Sequence, residues 1–578
     1  MLEDMQLERL VWDSEEDYDE DMPCYTADFE TTTLEDDCRV WAWATCRIGG
    51  ESDMQFGNDI ATFLEWCRVH CGCKVYFHNL KFDGKFIVHR LLSEGWRWIP
   101  SDSESAPETF TTLISDMNQW YSVRMFFGES KSVELLDSLK VIPLPIAAIP
   151  KAFGLDIEKL DMDYAAYREV GHELTDDERA YIAHDVRIAA QAMRVMMDEG
   201  MKRITAGSNA FADYKRMIGG SKRFRDWFPV PDYDKDLRDG GCYKGGFTAV
   251  HPRFAGKEVG SGISFDVNSL YPSVMAASHG EALPFGEPVY FEGEYEQDDE
   301  YPLFIQYVEA DFTVKKDHIP CLQLKGNMMF AETEYISDSK GLQTLCLTSV
   351  DLGMLFEQYD VWDIRYLRGY KFKGSTELFR DYVEKWTEVK IKAGKEGNQG
   401  MRTIAKLQLN SLYGKLATNP VKQSRMPYLE DGIVKYALTE PEEKEPQYLP
   451  AGAFITSYAR RFTVRAAQAN YERWLYCDTD SVYLLGDEPP KDMLVDAFEL
   501  GAWKQEHAFD RFKAIRAKTY CFEENGELTV HCAGMPAKCH ENVTMENFEP
   551  GNSFAGKLKP KDVKGGIILV DDVFTIRE

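Results

Sequence analysis

No apolar run in the chain approaches the ~18 residues a membrane-spanning helix needs, and its first residues are acidic rather than basic and apolar. Neither a bilayer span nor a secretory leader is therefore predicted. Paired Cys-x-x-Cys spacing is also missing: the 13 cysteines are odd in number and scattered, with only Cys71-Gly72-Cys73 close together. That excludes a zinc-ribbon pattern and leaves free thiols in a reducing compartment as the expectation. Net positive charge is absent too. The formal charge is −31, which taken alone argues against a phosphate-backbone partner. A soluble intracellular protein is expected.

What is present is ample. At 578 residues, 44% hydrophobic and 13% aromatic, the chain can fill packed cores and is too long for a single one, so several domains are expected. Charge is unevenly placed. Residues 1–21 hold ten acids against Arg9 alone, the composition of a solvated, disordered tail. Acidic runs recur at Glu292 to Glu300 and Glu440 to Glu445. From Lys371 to Arg425 the sign reverses, with twelve basic residues against five acidic ones, and a second basic patch follows at Lys557, Lys559, Lys561 and Lys564. An acidic body with a basic channel is the predicted form, limiting non-specific binding while still holding a phosphate backbone.

The chemistry concentrates in paired carboxylates. In the apolar, β-prone run Trp474 to Leu485, Asp478 and Asp480 stand at i and i+2, so an extended chain points both the same way. Two buried anions there are costly without cations, and hard divalent ions such as Mg2+ take carboxylate oxygens. The bland alternative is a surface hairpin whose tip reads Asp-Thr-Asp. A second i, i+2 pair, Asp28 and Glu30, alternates with Ala27 and Phe29 in a strand start. The short strand Val75-Tyr76-Phe77 runs through His78-Asn79-Leu80-Lys81-Phe82-Asp83-Gly84 into an amphipathic Lys85 to Leu92, which predicts Asp83 at a strand-to-helix turn. Asp176 to Met197 has helical spacing, with Tyr181 and Asp185 on one face. Four carboxylates and a tyrosine suit two-metal phosphodiester hydrolysis, although any one of these acids alone reads more simply as a solvated surface residue.

In this order, Asp28-Phe29-Glu30, Asn79 to Asp83 and Tyr181-x-x-x-Asp185 resemble the three motifs of the 3′–5′ proofreading exonuclease of family B DNA polymerases. Phe265-Asp266-Val267-Asn268-Ser269-Leu270-Tyr271-Pro272 resembles polymerase motif A, Lys406 to Gly414 motif B, Tyr476 to Ser481 motif C, and Lys518-Thr519-Tyr520 the KxY motif. The linker Tyr243-Lys244-Gly245-Gly246 and the spacing between motifs resemble the protein-primed phage subgroup, phi-29-like. The similarity runs from about Cys24 to Ile576.

This resemblance implies an α/β multidomain fold: an N-terminal ribonuclease-H-like 3′–5′ exonuclease plus a right-hand polymerase (palm, fingers, thumb) with two terminal-protein-region insertions. The implied boundaries are 1–21 tail, 22–205 exonuclease, 206–277 palm, 278–377 insertion 1, 378–417 fingers, 418–449 insertion 2, 450–532 palm and 533–578 thumb. The implied activity is protein-primed, processive, strand-displacing, DNA-dependent DNA synthesis with proofreading. It would use two Mg2+ ions at the polymerase site and two at the exonuclease, with Mn2+ able to substitute. Partners would be primer-template and single-stranded DNA, dNTPs and a terminal protein; no membrane is involved, and a monomer in the cytoplasm of an infected bacterial host is expected.

Residue by residue, the resemblance makes Asp266 and Asp480 the principal polymerase metal ligands, with Asp478 supporting and the Val267 backbone alongside. It gives Lys390, Lys406 and Asn410 to the incoming nucleotide and Tyr413 to the nascent pair. Tyr271 would exclude a 2′-hydroxyl. Asp28, Glu30, Asp83 and Asp185 would be the exonuclease acids, supported by Tyr181 and Lys159. Single-strand contacts would be Thr31, His78, Asn79, Phe82, Ser138 and Leu139, with His78 and Leu139 equally readable as strand-end packing. Tyr243, Gly245, Gly246, Thr456, Arg460, Lys518 and Tyr520 would meet the duplex. Lys244 departs from the arginine frequent in the linker motif, keeping charge but losing bidentate geometry. A nuclease on a DNA-holding body and a non-enzymatic replication factor remain as rival readings; intact Asp266, Asp478 and Asp480 oppose the first, and metal-dependent chemistry would exclude the second.

Overall fold

The computed structural model describes residues 22–163, 166–323 and 335–577. The acidic tail lies outside the described residues. The strand Cys24–Thr31, with Ala27 and Phe29 buried, lies inside an eight-stranded mixed sheet, antiparallel to Val40–Arg47 and parallel to Cys73–Phe77. A parallel neighbour needs a crossover, here built around helix Ile60–Val69, whose first turn is capped by Asp59 accepting from the Thr62 amide at 2.7 Å. Helix Asp176–Asp198 starts at a reciprocal Thr175/Glu178 capping box and buries Ile182, Val186 and Ala190 against Trp41, Ala42 and Ala44. That packing turns Tyr181 and Asp185 toward the sheet.

One boundary differs from expectation. The helix expected over Lys85 to Leu92 begins earlier, at Leu80, so Asp83 sits in its first turn rather than in the preceding loop. The cause is Asn79, whose left-handed φ of 78° reverses the chain directly after the strand, with its amide donating to Asp137 Oδ1 at 3.0 Å.

A second, five-stranded antiparallel sheet runs in the order Trp503–Phe509, Gly262–Val267, Ser481–Leu485, Trp474–Asp478, Thr248–Val250. The strand carrying Asp266 therefore lies one strand away from that carrying Asp478, with Ser481–Leu485 paired to both, and the long buried helix Leu449–Ala469 packs against their sheet. Two helices, Arg380–Glu396 and Gln399–Ser411, turn back on each other at Gly397, whose φ of 71° makes a left-handed cap. A four-stranded sheet (Leu283–Glu292, Tyr359–Ser375, Leu303–Val314, Gln343–Thr348) occupies the span between the first sheet strands and those helices.

The hairpin Arg425–Glu430/Ile433–Leu438 turns at Asp431 and Gly432, both at positive φ, as its Asp-Gly signal predicts. A second hairpin, Ser553–Val563/Gly566–Thr575, ends the described chain. Both tips meet helix Leu80–Ser93 at one imidazole: His89 Nε2 lies 3.1 Å from the Gly432 carbonyl and 3.0 Å from the Gly565 amide. Gly565 has no room for a side chain, since a Cβ would fall 1.9 Å from the Cys38 carbonyl. Val434, Val563, Ile567 and Ile568 are buried in the same apolar cluster as Phe77, Phe86 and Trp120. None of the 13 cysteines forms a disulfide, and no helix among the described residues is long and apolar enough to cross a membrane.

Candidate active sites

The first site forms where two strand ends meet. Asp266 pairs in register with Ser481, and the Val267 amide donates to the Asp480 carbonyl at 2.8 Å. Between Asp478 and Asp480, Thr479 takes a φ of 59°, a conformation unfavourable for a β-branched residue and worth about 1–3 kcal/mol of strain. Its neighbours hold it there: its amide donates to the Phe247 carbonyl and its own carbonyl accepts from Thr463 Oγ1, both at 2.7 Å. Gly246 lies beneath the same turn, where a Cβ would come 2.7 Å from Thr479 and 2.9 Å from the Tyr271 hydroxyl. A glycine at 246 thus has a steric reason.

The three acids are unlike one another. Asp478 is well supplied with donors, from Thr248 Oγ1 and Lys518 Nζ at 3.1 Å and the Tyr476 hydroxyl at 3.3 Å. Asp266 accepts no side-chain hydrogen bond among the described residues. Burial and the charge of Asp480 push it up to about 7, and burial likewise raises Asp480. These two are the acids whose charge is least compensated by protein, as befits cation ligands.

Beside them opens a cleft of about 540 Å³, bounded on the far wall by Lys390, Lys406, Asn410 and Tyr413. Lys390 Nζ donates to Ser269 Oγ at 3.2 Å. Burial, then Lys406 and Arg402, lower the Lys390 pKa; burial and Arg402 lower that of Lys406. Crowded cations facing bare carboxylates make a site that a polyphosphate with its counter-ions would relieve. On the cleft floor the Tyr271 and Tyr413 rings stack at 4.2 Å. Of the expected stripe, Lys406, Asn410 and Tyr413 line this one cleft, although the helix ends at Ser411 and Tyr413 opens a new turn, Tyr413–Leu416.

The second site lies on the first sheet. Asp28 is half-buried among acids and pushed up to about 7, by desolvation first and then by Asp185. Burial and Asp28 raise Glu30 and Asp83 well above the ordinary carboxylate range. Burial raises Asp185 as well, against the opposing ion pair with Lys159. Asp185 Oδ1 is a buried acceptor without a hydrogen-bond partner. As the side chains stand, no three acidic, histidine or cysteine groups among the described residues close on one point. The donor set, four mutually repelling carboxylates with an orphaned oxygen, nevertheless fits hard divalent cations.

The other predicted contacts divide by burial. Asn79 is exposed and Thr31, Phe82 and Leu139 are half-buried at the rim. His78 and Ser138 are knitted inward: His78 Nδ1 lies 3.0 Å from Ser138 Oγ, His78 Nε2 lies 2.7 Å from the Leu144 carbonyl, and Ser138 Oγ donates to the Phe77 carbonyl at 3.0 Å. Thr456 and Arg460, expected to meet DNA, are buried. Thr456 Oγ1 bonds its own helix, while Arg460 pairs with buried Asp351 at 2.7 Å and donates to the Lys244 and Gly245 carbonyls at 2.7 and 2.8 Å. Arg460 therefore shapes the linker loop from behind rather than touching a strand. Tyr520 is likewise buried, its hydroxyl 3.2 Å from that of Tyr483. Tyr243 is half-buried and Gly245 exposed in the linker loop.

Sequence reasoning missed Asp137, which accepts from the Asn79 and Leu139 amides at 3.0 Å and so sets the exonuclease rim. It also missed Thr248 and Ser269, which bond Asp478 and Lys390. Ser269 sits inside motif A and was open to notice; the other two become meaningful only through long-range pairing.

The raised acids carry a sign. With folded-state values near 7 for Asp28 and Asp266 against about 4 unfolded, the folded chain binds more protons between those limits. Stability from these groups is present at low pH and lost as pH rises through about 7. In chelator, Tm is expected to fall from pH 6 to pH 8, and the rise on adding Mg2+ to be larger at pH 8. Calorimetry with an equal rise at both pH values would count against cation binding by these acids.

The arrangement, two carboxylate clusters with a cationic nucleotide-sized cleft beside one of them, is that of a template-directed nucleic-acid polymerase. The family model for "DNA polymerase type B, organellar and viral" matches residues 167–492, and the chain belongs to that family. The DNA polymerases of Bacillus phages phi29 and M2 are each 42% identical to it, covering 96% of this chain and 99% of the relative; that of Streptococcus phage Cp-1 is 31% identical over the same shares. Among solved structures, phi29 DNA polymerase with primer-template DNA and incoming nucleotide superposes with a TM-score of 0.89 at 40% identity, and its complex with single-stranded DNA at 0.88 and 41%, each covering 96% of this chain and 100% of the other. The α/β architecture expected from the motifs is thus the observed one, and the chain is a DNA polymerase.

Proposed function

We propose that the protein is a protein-primed, processive, strand-displacing DNA polymerase with 3′–5′ proofreading, acting as a monomer in the cytoplasm of an infected bacterium with Mg2+ as its metal. The observation that carries the catalytic reading is the meeting of Asp266 with the Asp478–Asp480 turn at the mouth of a cleft walled by Lys390 and Lys406.

Asp266 and Asp480, with the Val267 carbonyl beside them, would hold two Mg2+ ions, with Asp478 supporting. Bound there, the ions would activate the primer 3′-hydroxyl and neutralise charge on the leaving pyrophosphate. Lys390 and Lys406 take the phosphates, and Asn410 lines the same wall. Tyr413 faces the nascent pair, and the stacked Tyr271 ring blocks a 2′-hydroxyl. Lys518, exposed beside Asp478, reaches the primer-terminal phosphate. In the exonuclease, Asp28, Glu30 and Asp185 would hold the metal, with Asp83 completing the acid set, and Tyr181 would orient the attacking water. Lys159 steadies Asp185. The rim residues Thr31, Asn79, Phe82 and Leu139 receive the strand, with His78 and Ser138 bracing them.

Priming from protein rests on the likeness to the phage relatives and on the two inserted segments, 278–377 and 418–449. The test mixes the enzyme with its candidate terminal protein, Mg2+ and one labelled dATP. Label on the terminal protein is expected. Its absence from an enzyme that still extends a DNA primer would overturn protein priming while leaving the polymerase assignment in place.

A further inference from the structure

We infer that Asp213 is a positioning residue for nucleotide binding, holding the helix that carries Lys390 in the register where its ammonium faces the cleft. The inference rests on the reading of Lys390 given above. Asp213 lies in helix Ala206–Met217, outside every polymerase motif, and its side chain is 2% exposed. Three donors converge on it. Trp386 Nε1 donates to Oδ2 at 2.8 Å, Lys385 Nζ bonds both oxygens at 3.0 and 3.3 Å, and Arg216 pairs with Oδ1. Burial works against the charge, but these hydrogen bonds outweigh it and hold the carboxyl below its ordinary range.

Two of the three donors belong to helix Arg380–Glu396, and Lys390 follows Trp386 by one turn on the same face. The same short helix grips that region twice more: the Tyr214 hydroxyl donates to the Leu378 carbonyl at 2.9 Å, and Ser208 Oγ accepts from Lys415 Nζ at 2.8 Å. Asp213 is the charged member of this bearing. Asp213 is buried but Lys385 and Arg216 are 38% and 68% exposed, so removing the carboxylate strands chiefly the buried Trp386 N–H. Without the carboxylate, Lys385 and the Trp386 N–H lose their acceptor, the helix is free to shift, and the 3.2 Å approach of Lys390 to Ser269 is no longer enforced. Displacement of about 1 Å in a binding group is enough to matter kinetically.

The experiment measures dNTP KM and kcat on a primed template, and single-strand degradation, for five variants of the full chain. Asp213→Ala and Lys385→Met should each raise KM about tenfold, with kcat within about twofold and degradation unchanged. Met217→Ala, at an exposed position at the end of the Asp213 helix, should leave KM unchanged. Asp213→Ala combined with Lys390→Ala should be no worse in KM than Lys390→Ala alone. Unchanged KM in Asp213→Ala beside a raised KM in Lys390→Ala overturns the inference alone; so does parallel loss of degradation, which marks general damage. Unchanged KM in Lys390→Ala faults the reading of Lys390 instead.

Discussion

Asp480→Asn is expected to abolish primer extension while single-strand degradation continues at the wild-type rate. The swap preserves volume and removes one charge from a site where Asp480 and Asp266 repel each other at the cleft. A bound cation there is worth several kcal/mol of transition-state stabilisation, and losing about 4 kcal/mol corresponds to roughly a thousandfold in rate. Asp266→Asn should match it. Asp478→Asn should be milder, about ten- to a hundredfold, because Asp478 is held by Thr248, Tyr476 and Lys518 and acts on its neighbours through them. Single-turnover extension from a labelled primer separates these ranks. Equal loss in all three variants would refute the unequal roles, and wild-type extension by Asp480→Asn would remove the polymerase site altogether.

The mirror experiment concerns the other carboxylate set. Asp28→Ala should lower degradation of a labelled single strand by on the order of a thousandfold, again about 4 kcal/mol, with primer extension unimpaired. Asp28 is the acid that both Glu30 and Asp83 feel, and Asp185 is the largest charge acting on Asp28 itself, so its removal relaxes the whole group. The chelated Asp28→Ala protein should consequently lose less Tm between pH 6 and pH 8 than the parent. An Asp28→Ala enzyme that still trimmed mismatched primer ends at the parental rate would end the assignment of this site.

Much of this was legible in the residues themselves. Alternation placed Asp28 and Glu30 on one strand, the Asp431-Gly432 turn announced its hairpin, and the apolar strands around Asp266 and Asp478 found each other in one sheet. What sequence could not give was which charges lie inside. The family resemblance reads Arg460 as a DNA contact; its burial depends on Asp351, more than one hundred positions earlier in the chain. His78 and Ser138 point inward because Leu144 and Phe77 supply carbonyls there. The helix start at Leu80 follows from Asn79 in a left-handed conformation stabilised by Asp137, a preference no periodicity records.

The meeting of two hairpin tips on His89 bears on how far the molecule can be divided. Phe86 and Cys38 are covered by Gly565, Gly566 and Ile567, contributed by a segment more than four hundred positions further along the chain. The eight-stranded sheet thus has part of its core closed by residues distant in the chain, and cut away at residue 205 it would leave oily side chains such as Phe86 facing water.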